Sequence, residues 1–260
     1  MNQLIVLDKK TGKKKIVNVP AYNLDVNQVG WDSGGGYNDY ANYLQPILYL
    51  DAGRNDSYTN GTTWTDVSGY GYNGTLNGGV TYSSSNYGIL NYDGVNGFVS
   101  TSDLGSLANW TAVTWVKFDT LNANPKVPAI ITNRFGVGDT KLNFVIGFGL
   151  TAYSQTIKAG IYNAGWAVTS GYTVSTNVWY NFTATYDGAA LKLYVNGSLF
   201  NSTATSISAQ TSTRGVAIGK RWDDPDYIDG SIPVAIMYNK ALSASDVTLV
   251  YNQFAPRYGY

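Results

Sequence analysis

The sequence of 260 residues contains no histidine, no cysteine and no glutamate, and all seventeen of its acidic residues are aspartate. Histidine is the usual general base near neutral pH, cysteine the most reactive nucleophile, and glutamate a common acid or base in sugar hydrolases. Zinc, iron and copper sites lose their preferred ligands too, so any cation is expected to be a hard one such as calcium. Without cysteine there are no disulfides, and folding needs no oxidising compartment.

Charged residues and long apolar runs are also scarce. Charged residues make up 13% of the chain, about half of the usual share. The longest apolar runs, such as Val234 to Tyr238, are far too short to cross a bilayer, so no membrane insertion is expected. No secretory signal is expected either, because lysines follow the short apolar stretch from Met1 to Leu7 instead of preceding it.

The formal net charge of zero hides an asymmetry between the start of the chain and the rest. Five lysines fall in the first nineteen residues beside one acid, Asp8, which leaves twelve basic and sixteen acidic residues for the remainder, a net charge of −4. A weakly acidic body argues against nucleic acid as the main ligand, because phosphate binding needs a basic face. The lysines fit an acidic partner or a solvated hairpin.

Abundant glycine (29) and tyrosine (22), with much asparagine, serine and threonine, favour pleated sheets joined by tight turns. At the start, Leu4 to Leu7 and Lys15 to Val19 predict a small hairpin, and the Gly34 to Gly36 cluster predicts a hinge or linker. We therefore expect a hairpin arm and linker over residues 1–45, and one domain over residues 46–260.

The domain after residue 46 is predicted to be all-β. Trp179 to Tyr186 alternates apolar and polar residues, and Asp187-Gly188 and Asn196-Gly197 are typical hairpin turns. Ser243, with Asp246 three residues later, predicts the start of one C-terminal helix. Many short strands with a single helix indicate a sandwich or jelly roll. The predicted strands are Ile47 to Leu50, Ile89 to Tyr92, Phe98 to Thr101, Val113 to Phe118, Ala129 to Thr132, Asn143 to Phe148, Ile157 to Tyr162, Trp179 to Tyr186, Ala190 to Val195, Val216 to Gly219 and Ile232 to Tyr238.

Several segments, in order over roughly residues 46–255, resemble the laminin-G-like, concanavalin A-like lectin and glucanase jelly rolls, in particular the variety common in phage and bacterial surface proteins. The most specific is the Trp179 to Gly188 strand and turn, followed by Leu193-Tyr194-Val195-Asn196-Gly197. The others are Leu50 to Gly53, Thr62 to Gly69, Asn73 to Leu76, Tyr92 to Val99, Thr114 to Lys117, Ala217 to Gly219 and Ile236 to Ser243. The resemblance implies two facing antiparallel sheets, glycan or protein binding, and often a structural calcium.

Two positions depart from that pattern at the calcium site. Asn96 stands where an acid is common, and the strand Gly230 to Val234 lacks the acidic residues that usually follow its isoleucine. Pro233 cannot donate a ladder hydrogen bond, so its position is expected at an edge or a bulge. Both departures weaken the implication of calcium at this site.

The aspartates 223, 224, 226 and 229 form the densest acidic cluster of the chain. The cluster consists of Asp223, Asp224, Asp226 and Asp229, and Trp222 and Tyr227 flank it. It could hold calcium, line an aromatic platform for sugar stacking, or form a solvated loop. Their spacing does not match an EF-hand, which ends in a bidentate glutamate. All three interpretations stay open at this point.

Trp166 and Tyr172, which polar and glycine residues separate, are the second candidate for ligand contact, as one exposed aromatic platform. Aromatic faces bind sugars because sugar C–H groups pack on the ring while nearby polar groups reach the hydroxyls. Burial in the core is the competing interpretation for both residues. Trp115 and Trp179 match core positions of the resembled family, so we expect them to have a structural role.

No pair of carboxylates is placed on one strand as a sugar hydrolase would need, so the protein is not expected to be an enzyme. The leading hypothesis is a bacteriophage structural protein on the virion surface, a capsid decoration, fibre or adhesin. It would join capsid or other virion proteins through its arm and bind host-surface glycans, and it could form a homo-oligomer. The alternatives are a carbohydrate-binding module of a bacterial cell-surface protein and a purely structural cementing protein.

Overall fold

The computed structural model describes residues 2–7, 14–19, 39–121, 128–133, 141–148, 155–163, 165–207, 215–221 and 226–260. The chain divides into two compact units, Met1–Tyr37 and Asn38–Tyr260. In the first unit, β1 (Asn2–Leu7) pairs with β2 (Lys14–Val19) in antiparallel register, with Leu4 opposite Val17. The predicted hairpin is confirmed. The Gly34 to Gly36 linker lies outside the described residues.

The second unit is a sandwich of two antiparallel sheets, which confirms the predicted fold class. Sheet 1 has the strand order β13-β12-β11-β10-β18-β8-β5-β4, with β14 paired to β12, and sheet 2 has the order β17-β16-β15-β9-β19-β7-β6, with β3 paired to β19. The strands of sheet 1 are β4 (Thr63–Trp64), β5 (Gly74–Asn77), β8 (Phe98–Ser100), β10 (Ala129–Thr132), β11 (Lys141–Phe148), β12 (Thr156–Asn163), β13 (Trp166–Val168), β14 (Tyr172–Thr173) and β18 (Ala217–Ile218). Those of sheet 2 are β3 (Leu48–Asp51), β6 (Thr81–Ser83), β7 (Ile89–Asp93), β9 (Trp110–Phe118), β15 (Trp179–Tyr186), β16 (Ala190–Val195), β17 (Ser198–Ala204) and β19 (Asp229–Tyr238).

The main core lies between the two sheets. The inward alternation predicted for β15 is confirmed, because Phe182 and Ala184 are fully buried in the same cluster as Phe144 and Ile146 of β11. The two predicted turns are also present: β15 pairs with β16 and β16 with β17. Asn196 has φ 48° and Gly197 φ 76°, the left-handed values that a tight hairpin turn requires.

Two short helical elements cover the outer face of sheet 2. These are α1 (Tyr40–Tyr43) and α2 (Ala244–Phe254), and α2 begins with the predicted capping box of Ser243 and Asp246. A 3-10 turn, Ala255–Tyr258, follows α2. None of the described helices is long or apolar enough to span a membrane.

Trp179 was predicted to be a core residue, and the structure corrects this. It is half-buried on the outer face of sheet 2, with its ring 4.6 Å from that of Tyr258, because alternation in β15 places it with Asn181 and opposite Phe182. Trp115 is fully buried, but on the same outer face, where it stacks on Tyr258 at 4.3 Å.

Pro233 lies at an irregularity in β19, as its missing N–H predicts. The pairing of β19 with β9 shifts register between Ser231 and Val234, and the Pro233 carbonyl accepts a 2.9 Å hydrogen bond from the Ala52 N–H.

The second unit begins earlier than the expected domain boundary at residue 46. The reason is that Asp39 accepts a bond from Gln253 of α2, at 3.0 Å, and Tyr40 donates to Asp246, at 2.8 Å.

Candidate functional site

The ammonium group of Lys220 packs against two aromatic rings on the outer face of sheet 1. Val99 points into the core, so strand alternation turns its neighbour Phe98 outward. The Lys220 ammonium lies 4.6 Å from the centre of the Phe98 ring and 5.2 Å from that of the Tyr227 ring. The two ring centres are 6.3 Å apart. We call Phe98, Lys220 and Tyr227 the aromatic clip.

Backbone hydrogen bonds position Lys220 and Tyr227 of the aromatic clip next to each other. Lys220 and Tyr227 form an antiparallel β-bridge, and the Ile228 N–H donates to the Gly219 carbonyl at 2.8 Å. All three clip side chains are half-buried, so each is supported and still presents surface to solvent. Rings can pack against sugar C–H groups while an ammonium donates to hydroxyl oxygens, so the clip combines the two contacts that saccharide recognition uses.

Of the clip residues, only Tyr227 was singled out from the sequence. Phe98 carried a readable signal, because it precedes an inward valine in a strand and must face outward. Lys220 carried none, since it approaches the rings only through its backbone bridge to Tyr227.

Two of the four aspartates of the predicted acidic cluster, Asp226 and Asp229, are among the described residues near the clip. Trp222, Asp223 and Asp224 lie outside the described residues. The Asp226 side chain is buried, and Asp229 Oδ2 accepts a 2.6 Å bond from the Thr120 hydroxyl. Within the described part of the chain, no three carboxylates approach closely enough to share a metal ion. Calcium at this cluster stays a prediction.

Trp166 and Tyr172 belong to two separate aromatic groups. Trp166 pairs with Tyr162 and Tyr172 with Ile157, five residues apart along β12, which is about 16 Å at the rise of a strand. The sequence placed them in one platform, and the structure does not bring them together. Their roles in binding therefore have to be considered one at a time.

Trp166 lies on the outer face of sheet 1. Its ring centre is 5.3 Å from that of Tyr162, and both half-buried rings pack against the buried side chains of Ala129 and Val145. Four strand spacings separate β12 from the β8 strand that carries Phe98, a lateral distance of about 19 Å. This pair is thus a second exposed aromatic surface, distinct from the clip.

Tyr172 supports the core. Its ring makes edge contacts with Tyr180, Phe182 and Phe200, at 6.0, 6.1 and 5.1 Å between ring centres. Two of these partners belong to the buried cluster between the sheets, against which Tyr172 packs. The contacts explain its half-buried state without a ligand.

The Asp93 to Gly97 loop, where the resembled family often places calcium, is closed by its own hydrogen bonds. Asp93 Oδ1 accepts from the backbone N–H groups of Val95, Asn96 and Gly97 at 3.0, 3.0 and 2.8 Å. Partial burial acts to raise the pKa of the Asp93 carboxyl, but these N–H donors outweigh it and lower the pKa below its ordinary value. Asn96 Oδ1 accepts from the Gly79 N–H at 2.7 Å, so the amide has a structural partner of its own.

The most buried carboxylates also serve structure. Asp66 accepts the N–H groups of Tyr49, Ser68 and Tyr72 and the hydroxyl of Ser68, all between 2.7 and 2.9 Å. Asp51, fully buried, is paired with Arg257 at 2.6 Å. Sequence reasoning missed this pair because 206 residues separate its members. Neither carboxylate is positioned to serve as a general acid or base.

A family model described as the concanavalin A-like lectin/glucanases superfamily matches residues 93–248, which is more than half of the chain. The chain belongs to this superfamily. Its two antiparallel sheets and its hairpins are those that the sequence resemblance implied, and the lectin-like jelly roll points to a binding module. No curated protein matches the sequence.

Solved structures agree on the fold. Domain 4 of AbnA, an extracellular GH43 arabinanase of Geobacillus stearothermophilus solved in complex with arabinotriose, has a TM-score of 0.62 and 19% identity; the match covers 80% of this chain and 98% of that one. The receptor-binding domain of botulinum neurotoxin type G has a TM-score of 0.60 and 18% identity over 80% of this chain. The binding domain of botulinum neurotoxin DC, in complex with rat synaptotagmin II, has a TM-score of 0.63 and 16% identity over 81%. The chain spans about half of each toxin domain, 51% and 52%.

Proposed function

We propose that this protein is a non-enzymatic glycan-binding protein whose aromatic clip contacts a neutral saccharide. The observation that carries the proposal is the Lys220 ammonium, held 4.6 and 5.2 Å from two half-buried rings on the outer face of sheet 1. The similar arabinanase domain, which was solved with arabinotriose, supports a saccharide as the ligand class. Trp166 and Tyr162 provide a second aromatic surface on the same face, where a longer glycan can make an additional contact.

The decisive experiment is a glycan array followed by calorimetric titration of the best neutral oligosaccharide. Tyr227→Ala removes one ring of the clip and is expected to weaken binding about tenfold, because truncation of a central aromatic contact costs at least 1 kcal/mol. Tyr82→Ala is the matched control, since Tyr82 is an exposed tyrosine on β6 of sheet 2. Equal affinities of both variants and wild type would overturn the assignment of the clip, and an array without any signal would overturn glycan binding itself.

In the same proposal the protein is a structural protein of a bacteriophage virion, and the unit Met1–Tyr37 is its attachment element. A two-stranded hairpin is marginal alone in water, and the sequence of this segment includes the apolar residues Leu4, Val6, Ile16 and Val17, which favour packing against a partner surface. The five lysines of this segment suit an acidic partner surface. Many copies on one particle would bind a host-surface glycan with useful avidity even if each site is weak.

A carbohydrate-binding module of a bacterial surface protein is the second candidate. It is favoured by one observation, the match to the arabinanase domain over 98% of that domain's length. Electron microscopy of a purified particle with antibody against this protein separates the two, because a virion protein is found on particles and a bacterial module on cells. The third candidate, a cementing protein without ligand, predicts particle labelling together with an empty glycan array.

A further inference from the structure

A polar cleft opens at the end of sheet 2, and β19 runs from the aromatic clip, just before Asp229, to this cleft, just after Tyr238. It has a volume of about 450 Å³, and it lies between the turn after α1, the loop that follows Asp66, and the segment that leaves β19. The side chains that line it are Asn42, Gln45, Pro46, Ile47, Ser68, Tyr70, Asn239 and Lys240. Three carboxamides, one ammonium and one tyrosine ring thus converge on one space, and none of these lining residues is acidic.

Among the described residues, hydrogen bonds fix the walls of the cleft but do not use the polar side-chain groups of Asn42, Asn239 and Lys240. The Ser68 hydroxyl donates to Asp66 at 2.7 Å, and the four bonds to Asp66 hold the whole loop. On the opposite wall, the Thr111 hydroxyl donates to the Lys240 carbonyl at 2.8 Å and accepts the Leu242 N–H at 2.9 Å. The side chains of Asn42, Asn239 and Lys240 remain exposed.

Tyr70 presents one free ring face. Its ring is nearly parallel to that of Tyr72, with 9° between the planes and 6.3 Å between the centres, and 64% of the residue is exposed. A large exposed aromatic residue that is stacked on its inner side has one face available for the C–H groups of a sugar ring.

Gln45, at the rim, has a backbone that asparagine or glycine adopts more easily. Its φ is 58°, in the left-handed region, and it is followed by Pro46, which disfavours helical backbone at the preceding residue. Strained backbone of this kind is concentrated at ligand clamps, where the surrounding structure holds it in place. Here the strain sets the Gln45 side chain among the residues that line the cleft.

We propose that this cleft binds the carboxylate-bearing residue of an acidic saccharide, such as a uronic acid. The Lys240 ammonium pairs with the carboxylate, the amides of Asn42 and Asn239 exchange hydrogen bonds with sugar hydroxyls, and the ring of Tyr70 packs against the sugar face. Lys240 forms no ion pair with any residue that the structure describes. The inference rests on the proposed glycan binding but assigns it a second, charge-selective site.

The test is a calorimetric titration of the full chain with a galacturonic acid trisaccharide, with arabinotriose as the neutral probe and inorganic phosphate as the simple anion. Lys240→Gln and Tyr70→Ala are each expected to weaken binding of the acidic trisaccharide about tenfold, the effect of losing one charged or central contact. Lys192→Gln and Tyr87→Ala remove a lysine and an exposed tyrosine elsewhere, and both are expected to leave that affinity unchanged.

Three outcomes would overturn the proposal. The first outcome is that the acidic trisaccharide does not bind to the wild-type protein. The second is that it binds to wild type and to Lys240→Gln with equal affinity. The third is full competition by phosphate at equal concentration, which would show an anion site without sugar recognition. Loss of acidic binding in Lys240→Gln with retained binding of a neutral glycan supports the second site. If the neutral probe binds and the acidic trisaccharide does not, the proposal for the cleft is wrong, while the proposed saccharide site at the aromatic clip is unaffected.

Discussion

Arg257 links the C-terminal 3-10 turn to the sheets through hydrogen bonds, and its replacement should lower the free energy of unfolding substantially. The guanidinium is fully buried and donates to Asp51 at 2.6 Å, to the Gly88 carbonyl at 2.8 Å and to the Asn86 carbonyl at 2.9 Å. Arg257→Met would leave the Asp51 carboxylate in the interior with one remaining bond, from the Gly53 N–H at 2.8 Å. Breaking a buried pair in this way costs about 3–5 kcal/mol, because the surviving charge loses its counter-ion but stays desolvated.

Differential scanning calorimetry measures the effect. For a body of this size each kcal/mol lowers the midpoint by about 2–4 °C, so Arg257→Met should melt roughly 6–20 °C below wild type. Adding Asp51→Leu should recover more than half of the loss, since it removes the orphaned charge. Lys192→Met is the control: it breaks an exposed pair with Asp187, 3.4 Å long, and should cost less than about 1 kcal/mol. An Arg257→Met midpoint equal to that of the control would refute the reasoning.

Two further predictions concern the arm and the cation. If the proposed virion role of the arm holds, deleting residues 1–37 should leave a folded body with an unchanged melting temperature that is no longer incorporated into the particle. Normal incorporation would instead assign docking to the jelly roll. The deletion must spare Asp39, which accepts a hydrogen bond from Gln253. If calcium binds at the Asp223 to Asp229 cluster, the melting temperature in calcium should exceed that in EDTA by several degrees, and identical unfolding curves would reduce the cluster to a solvated loop.

The hairpins of sheet 2 could be predicted because their signals are local. Asp187-Gly188 and Asn196-Gly197 specify turns by their backbone preferences, and alternation of apolar residues fixes the inward face of β15. The capping box of α2 is equally local, since Ser243 and Asp246 lie three residues apart. Such features need no knowledge of distant partners.

The aromatic residues were harder to place because their environment is set by distant segments. The sequence placed Trp179 in the core, but its partner is Tyr258, which only the C-terminal turn brings to the outer face of sheet 2. Trp166 and Tyr172 are six residues apart in sequence, yet they pair with opposite parts of β12 and support different layers. The clip depends on a bridge between Lys220 and Tyr227, and no spacing rule predicts it.

The C-terminal segment also determines which surfaces remain for a ligand. On the outer face of sheet 2, Trp115 is fully buried beneath Tyr251 and Tyr258, at 5.6 and 4.3 Å between ring centres, so its aromatic surface is used for stability. On sheet 1, Phe98 and Tyr227 are only half-buried and pack against a lysine. An aromatic side chain that is already enclosed by its own chain gains little from a sugar, whereas a half-buried one still has exposed surface that a sugar can bury. The outer aromatic residues of sheet 1 are therefore the surface on which ligand binding should be sought first.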